Sequence, residues 1–92
     1  MIHILLSYDI VDDRRRTRLA KGLLNYLDRV QKSVFEGLVA TRSLEALYTL
    51  IEKEIDPELD SVRIYRLCQR CQVAIEVLGL GHFIEEEGDE II

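Results

Sequence analysis

Cysteine, proline and aromatic residues are scarce in this chain. Its 92 residues include two cysteines, one proline and 7% aromatics. Two cysteines cannot build the disulfide framework on which small secreted domains rely. The N-terminus has no basic segment followed by an apolar core and a cleavage site, so no signal peptide is expected and the expected setting is a reducing cytoplasm. No apolar run is long enough to cross a bilayer, which excludes a membrane partner from the expectations. Neither an internal repeat nor a low-complexity linker is visible.

What is present is a globular composition, 48% hydrophobic and 32% charged, of a length that suits one domain. A core this small is marginal, and a partner would help to bury more surface. The net charge of -5 is unevenly placed. Residues 1–42 hold eight Lys or Arg against five Asp or Glu, and residues 43–92 hold four against twelve. The acidic total argues against nucleic acid as a partner. The basic front half reopens that question, because local field governs binding more than net charge does.

The first stretch, Ile2 to Asp9, alternates with period two. Ile2, Ile4, Leu6 and Tyr8 form one apolar face, and His3, Leu5, Ser7 and Asp9 a mixed one, as in a central strand of an open sheet. Asp12 or Asp13 then caps a helix, with Leu19, Leu23 and Leu27, joined by Ala20 and Leu24, as its buried stripe. Asn25 to Asp28 closes it. Arg29 to Ala40 is rich in β-formers and predicts two short strands, with no glycine or proline before Gly37 to mark the turn. Thr41 or Ser43 caps a second helix on Leu44, Leu47, Tyr48, Ile51 and Ile55, which Asp56-Pro57 stops. Ser61 to Leu67 reads as a strand, Cys68 to Cys71 as a short connection, and Gln72 to Leu78 as an added strand ended by Gly79-Leu80-Gly81. Residues 81–92 form an acidic tail with an apolar end, either frayed or a docking segment for another protein.

This order predicts an α+β fold, the ferredoxin-like βαββαβ sandwich with an extra C-terminal strand, over residues 1–80. Two helices cover one face of the sheet. The other face, with His3, Leu5, Ser7 and Asp9, stays half-apolar and open, which predicts a homodimer. The extra strand would protect the mate's sheet edge.

Asp9 ends the first strand beside Arg14, Arg15, Arg16 and Arg18. Cations at a helix start oppose the macrodipole, so something other than helix stability selects them. They are either a solvated face or, with Arg29 and Lys32, a set of forks and point charges for phosphate. One carboxylate holds Mg²⁺ weakly. A two-fold axis near Asp9 would bring two together, and a hard dication would relieve their repulsion. Such an ion keeps waters, which are candidate nucleophiles toward a phosphodiester. The plain alternative is a strand-end Asp in a turn or cap. Tyr8 and Phe35 stack on bases or simply pack. Cys68-x-x-Cys71 is half of a zinc site, to which His3 or His82 would add a ligand, or else a pair of ordinary partly buried thiols.

Together, Ser7-Tyr8-Asp9-Ile10, the arginine-rich helix start, Arg29-Val30-Gln31-Lys32-Ser33-Val34-Phe35-Glu36-Gly37 and Asp60-Ser61-Val62-Arg63-Ile64-Tyr65 resemble one family over residues 1 to about 80. It is the small CRISPR-associated adaptation protein, the second of the core Cas proteins. The resemblance implies a ferredoxin-like homodimer with Mg²⁺ or another divalent cation at the Asp9 pair. It implies metal-dependent cleavage of single-stranded RNA or of duplex DNA, and a place as the central dimer between two copies of the CRISPR integrase, holding the spacer precursor duplex. By motif it assigns Tyr8, Asp9, Arg16, Arg18, Arg29, Ser33 and Phe35 to the catalytic site, and it adds nothing at Cys68 and Cys71. The reading from another class is a regulatory or protein-interaction module of the same fold, without nuclease activity and without salt-sensitive binding to nucleic acid.

Overall fold

The alternating stretch Ile2–Asp9 forms β1, the strand on which the others assemble, in a computed structural model that describes residues 1–70 and 74–79. On one side β1 pairs antiparallel with β3 (Val34–Val39), and on the other with β4 (Ser61–Leu67). A short β2 (Asp28–Gln31) pairs with β3 and completes the order β2-β3-β1-β4. Helix α1 (Asp13–Leu23) links β1 to β2, and α2 (Leu44–Glu54) links β3 to β4. This is the ferredoxin-like βαββαβ arrangement expected from the sequence.

Period two in β1 decides which face is dry. Ile4, Leu6 and Tyr8 are buried, with Phe35 and Val39 of β3, under Leu19, Ala20 and Leu23 of α1 and Leu44, Leu47 and Ile51 of α2. The helices approach closely at Gly22, where a Cβ would lie 2.8 Å from the Leu50 Cδ1. Register places His3, Leu5, Ser7 and Asp9 on the opposite face, beside Glu36 and Leu38 of β3 and Arg63 and Tyr65 of β4. Neither helix covers this face, and Leu38 is 54% and Tyr65 46% exposed.

Asp12 is the N-cap of α1, its carboxylate accepting from the Arg15 N–H at 3.0 Å. Hydrogen bonding to that amide holds the Asp12 carboxyl below its ordinary range. The buried stripe is shorter than its spacing predicts. The helix ends at Leu23, Leu24 is exposed, and Leu27 enters the core from the turn that follows. That turn resets the period, so Leu24 falls off the apolar side. The strand pair turns at Lys32 and Ser33, with an irregular register between Arg29 and Gln31. A 3-10 turn, Thr41–Ser43, precedes α2, and Ser43 is its N-cap position without a side-chain hydrogen bond.

The extra strand is expected on the sheet edge of a mate, and within the single chain its described residues do not form it. Residues 72 and 73 of the expected Gln72–Leu78 strand lie outside the described residues. Residues 74–79 form no strand, and Leu78 is 92% exposed. An added strand needs an edge to pair with, and none is paired to this segment within the single chain. The acidic tail 81–92 lies outside the described residues.

Candidate functional site

β1 delivers its last two side chains to opposite faces. Asp9, paired in register with Ser61, is exposed on the uncovered face, while Tyr8 turns into the core. The Tyr8 ring packs against that of Phe35 at 6.0 Å between centroids, tilted by 30°. Its hydroxyl donates to the Lys32 carbonyl at 3.2 Å, and its backbone N–H donates to the Ser33 carbonyl at 3.1 Å. The β2–β3 turn is therefore fastened directly to the end of β1.

Arg29 fastens it from below. Only 2% exposed, its guanidinium donates to the same Lys32 carbonyl from Nη2 at 2.6 Å and from Nε at 3.1 Å, and lies 5.3 Å from the Phe35 ring centre. Nη2 also stands 3.5 Å from the Tyr8 hydroxyl. The structure thus gives Arg29 and Phe35 packing and positioning contacts beneath the site. Arg29→Met keeps the length and removes the donors. It is expected to cost about 2 kcal/mol in denaturant unfolding, because the Lys32 carbonyl loses two charge-assisted donors and keeps only the Tyr8 hydroxyl. Unchanged stability, with a loss confined to nucleic-acid affinity, would instead place the guanidinium against a ligand.

Above this support lies a cleft of about 350 Å³ lined by Tyr8, Asp9, Ile10, Arg16, Lys32 and Ser33. Arg16 reaches it from α1. Its Nη1 donates to the Ile10 carbonyl at 2.8 Å, Nη2 pairs with Asp13, and its buried Nε has no hydrogen-bond partner among the described residues. One acidic oxygen donor, two cations and a hydroxyl thus converge on one depression. The two cations and the hydroxyl suit a phosphate, and Asp9 is the one carboxylate there that could ligate a hard divalent cation. Among the described residues no cluster of three or more His, Cys, Asp or Glu exists, so a single chain offers Asp9 as one ligand of an incomplete cation site.

The clustered arginines have separate fates. Arg14 is exposed at the start of α1. The exposed Arg18 donates to Glu54 at 3.0 Å, a surface pair of little net worth that a phosphate can exchange. Arg15 turns inward to Asp60. Lys32 stands exposed on the turn. His3, on the open face, is held by Glu36 at 3.0 Å. Cys68 is exposed, and Cys71 and His82 lie outside the described residues.

Asp60 is the residue that sequence reasoning missed as a site element. It is buried at the foot of β4, accepting from the Arg15 Nε at 2.8 Å and Nη2 at 3.1 Å, the Val11 N–H at 3.1 Å and the Asp56 N–H at 2.9 Å. The Arg15 fork, with the two backbone donors, holds its carboxyl well below the usual carboxylate range. Asp60 in return raises the Arg15 pKa. A depressed folded pKa gives stability that is complete above the unfolded value and is lost as pH falls through the folded one. Asp60→Asn is therefore expected to lower the melting midpoint by roughly 10 °C at neutral pH. The gap from wild type should close as pH falls below about 4, where the unfolded carboxyl begins to protonate. Melting curves against pH check this, and a gap independent of pH would contradict it.

Comparison with known proteins gives a family match. The family model described as "CRISPR associated protein Cas2" matches residues 1–75. The CRISPR-associated endoribonuclease Cas2 3 of Chloroflexus aurantiacus is 46% identical over 77 residues, 84% of this chain and 83% of that protein. The structure of Cas2 from Streptococcus pyogenes superposes with a TM-score of 0.74 at 32% identity, covering 84% of this chain and 99% of that one. A chain in a partial Cas6-RT-Cas1–Cas2 complex superposes at 0.66, with 32% identity, 85% of this chain and 91% of that one.

Proposed function

The chain belongs to the Cas2 family of CRISPR-associated proteins, and from that premise we propose that it serves in CRISPR adaptation as a homodimer. In this role it binds nucleic acid and bridges copies of the Cas1 integrase. The likeness to a chain of a Cas1–Cas2 assembly supports the integrase as its partner. The endoribonuclease relative and the cleft support a second activity, cleavage of phosphodiesters in RNA or DNA with Mg²⁺. The two roles need not share a site.

The observation that carries the cleavage reading is the position of Asp9. It ends the central strand on the sheet face that neither helix covers, at the rim of a cleft holding Arg16 and Lys32. Two copies meeting through that half-apolar face bring two carboxylates together, which supplies what one chain lacks. Asp9 of each copy would hold the cation, and Mg²⁺, when bound, contributes Lewis acidity toward a phosphodiester. Lys32 and the partly committed Arg16 bind and orient the phosphate through charge-assisted hydrogen bonds. Ser33 offers a neutral hydroxyl beside them. Tyr8, Phe35 and Arg29 fix the turn on which Lys32 and Ser33 stand. Arg14 and Arg18, outside the cleft, track the backbone of a longer strand or duplex without reading its bases.

Sedimentation of the purified chain with and without Cas1, followed by a spacer-integration assay on a duplex, tests the adaptation role. Co-sedimentation and Cas2-dependent integration are expected. A monomer that neither binds Cas1 nor supports integration would favour a regulatory module of the same fold.

A further inference from the structure

We infer that Asp60 and Arg15 act as a positioning pair for the Asp9 carboxylate, setting its affinity for a divalent cation from behind the site. The inference rests on Asp9 being the cation ligand. Asp9 sits at the last rung of β1, opposite Ser61, and beyond it the ladder no longer fixes the backbone. The next residues are held by other means. The Ile10 carbonyl accepts from Arg16, and the Val11 N–H donates to Asp60 at 3.1 Å. Asp60 immediately precedes Ser61, so one residue of β4 pairs with Asp9 and its neighbour anchors the chain two residues further on. Both oxygens of Asp60 are engaged, by the Arg15 fork, Val11 and Asp56, and its side chain is wholly buried.

A single side chain thus ties the β1–α1 loop, the first turns of α1 and the α2–β4 loop to one point beside Asp9. Asp9 itself is exposed, so nothing in its own packing fixes it. A cation bridging two chains tolerates little misplacement of its ligands, and groups that orient such ligands typically govern affinity ten- to a hundredfold; this pair acts at the low end, through the backbone two residues from Asp9. A simple staple of loops would affect melting alone. A positioning pair also affects cation binding in protein that remains folded.

The test compares wild type, Arg15→Lys, Asp60→Asn and Asp9→Asn as full-length protein, well below each melting midpoint. Arg15→Lys keeps the charge but loses the fork, and it serves if Asp60→Asn does not fold. Mn²⁺ is the probe, followed by paramagnetic resonance, with hydrogen exchange at the Val11 amide alongside. Folded Arg15→Lys is expected to bind Mn²⁺ about tenfold more weakly, with faster exchange at Val11. Its cleavage kcat should fall by a similar factor while KM for an oligonucleotide holds within about twofold. If Asp9→Asn abolishes Mn²⁺ binding while both Arg15→Lys and Asp60→Asn bind it as wild type does, the positioning role is overturned and the cation site stands. If wild type and Asp9→Asn bind Mn²⁺ alike, the cation site itself is overturned, and this inference with it.

Discussion

Asp9→Asn is expected to lose Mg²⁺-dependent cleavage by about a thousandfold or more while the protein stays folded, dimeric and able to bind duplex. The size follows from the site's composition. Among the described residues, no group of three or more candidate ligands stands ready to take over, and a neutral amide is a poor ligand for a hard cation. Fold and dimer should survive because Asp9 is exposed, so its substitution opens no cavity. If two copies meet through the uncovered face, the amide also removes the repulsion between their carboxylates, so dimerisation at low divalent-cation concentration should strengthen slightly. Cleavage of a labelled single-stranded RNA and of a duplex DNA, each with Mg²⁺ and with chelator, checks the first part. Equilibrium sedimentation checks the second. Residual cutting at the wild-type rate would place the activity elsewhere.

The second large effect concerns binding. Replacing Arg14, Arg18 and Lys32 together with alanine removes the exposed cations around the cleft and leaves the inward-facing Arg15 and Arg29 in place. In a dimer this deletes six positive side chains. Each phosphate left without its cation reduces the slope of log affinity against log salt by roughly 0.9 on a duplex, so a flattening of about 3 to 5 is expected, with affinity at low salt weaker by about a hundredfold or more. Stability should change little, since Arg18 gives up only a surface pair with Glu54. Titrations at several salt concentrations measure both quantities. An unchanged slope would make the basic helix start a solvated face and move the nucleic-acid surface elsewhere.

The contrast between those arginines and their neighbours shows where sequence is informative. Alternation in Ile2–Asp9 names the central strand, its buried face and its exposed one, because period two leaves little choice once one face is apolar. The strand Ser61–Leu67 is legible for the same reason. The β2–β3 turn is not, since Lys32 and Ser33 carry no turn signature. Their geometry is imposed by Tyr8 and by Arg29, whose side chain reaches the Lys32 carbonyl. Four arginines within five residues look alike in sequence. Helical rotation sends Arg15 to Asp60, Arg16 to Ile10, and leaves Arg14 and Arg18 outward. A motif can assign a role to such a run but cannot say which members face inward.

Asp60 is hidden for a different reason. It belongs to the acidic stretch Asp56–Asp60, in which nothing local separates one carboxylate from another, and its partner Arg15 is 45 positions away. A carboxylate directly ahead of a β-rich run is the available hint. The expectation for Leu24 fails because a pattern extends past its support. The apolar period of α1 continues in sequence beyond the turn that ends the helix.

The most direct measurement is the stoichiometry of Mn²⁺ bound to the dimer, taken with and without Asp9→Asn. One ion shared between two wild-type chains, and none in the variant, is expected if the two carboxylates meet across the uncovered sheet face. A stable monomer, or a full complement of bound ion that survives Asp9→Asn, would contradict it.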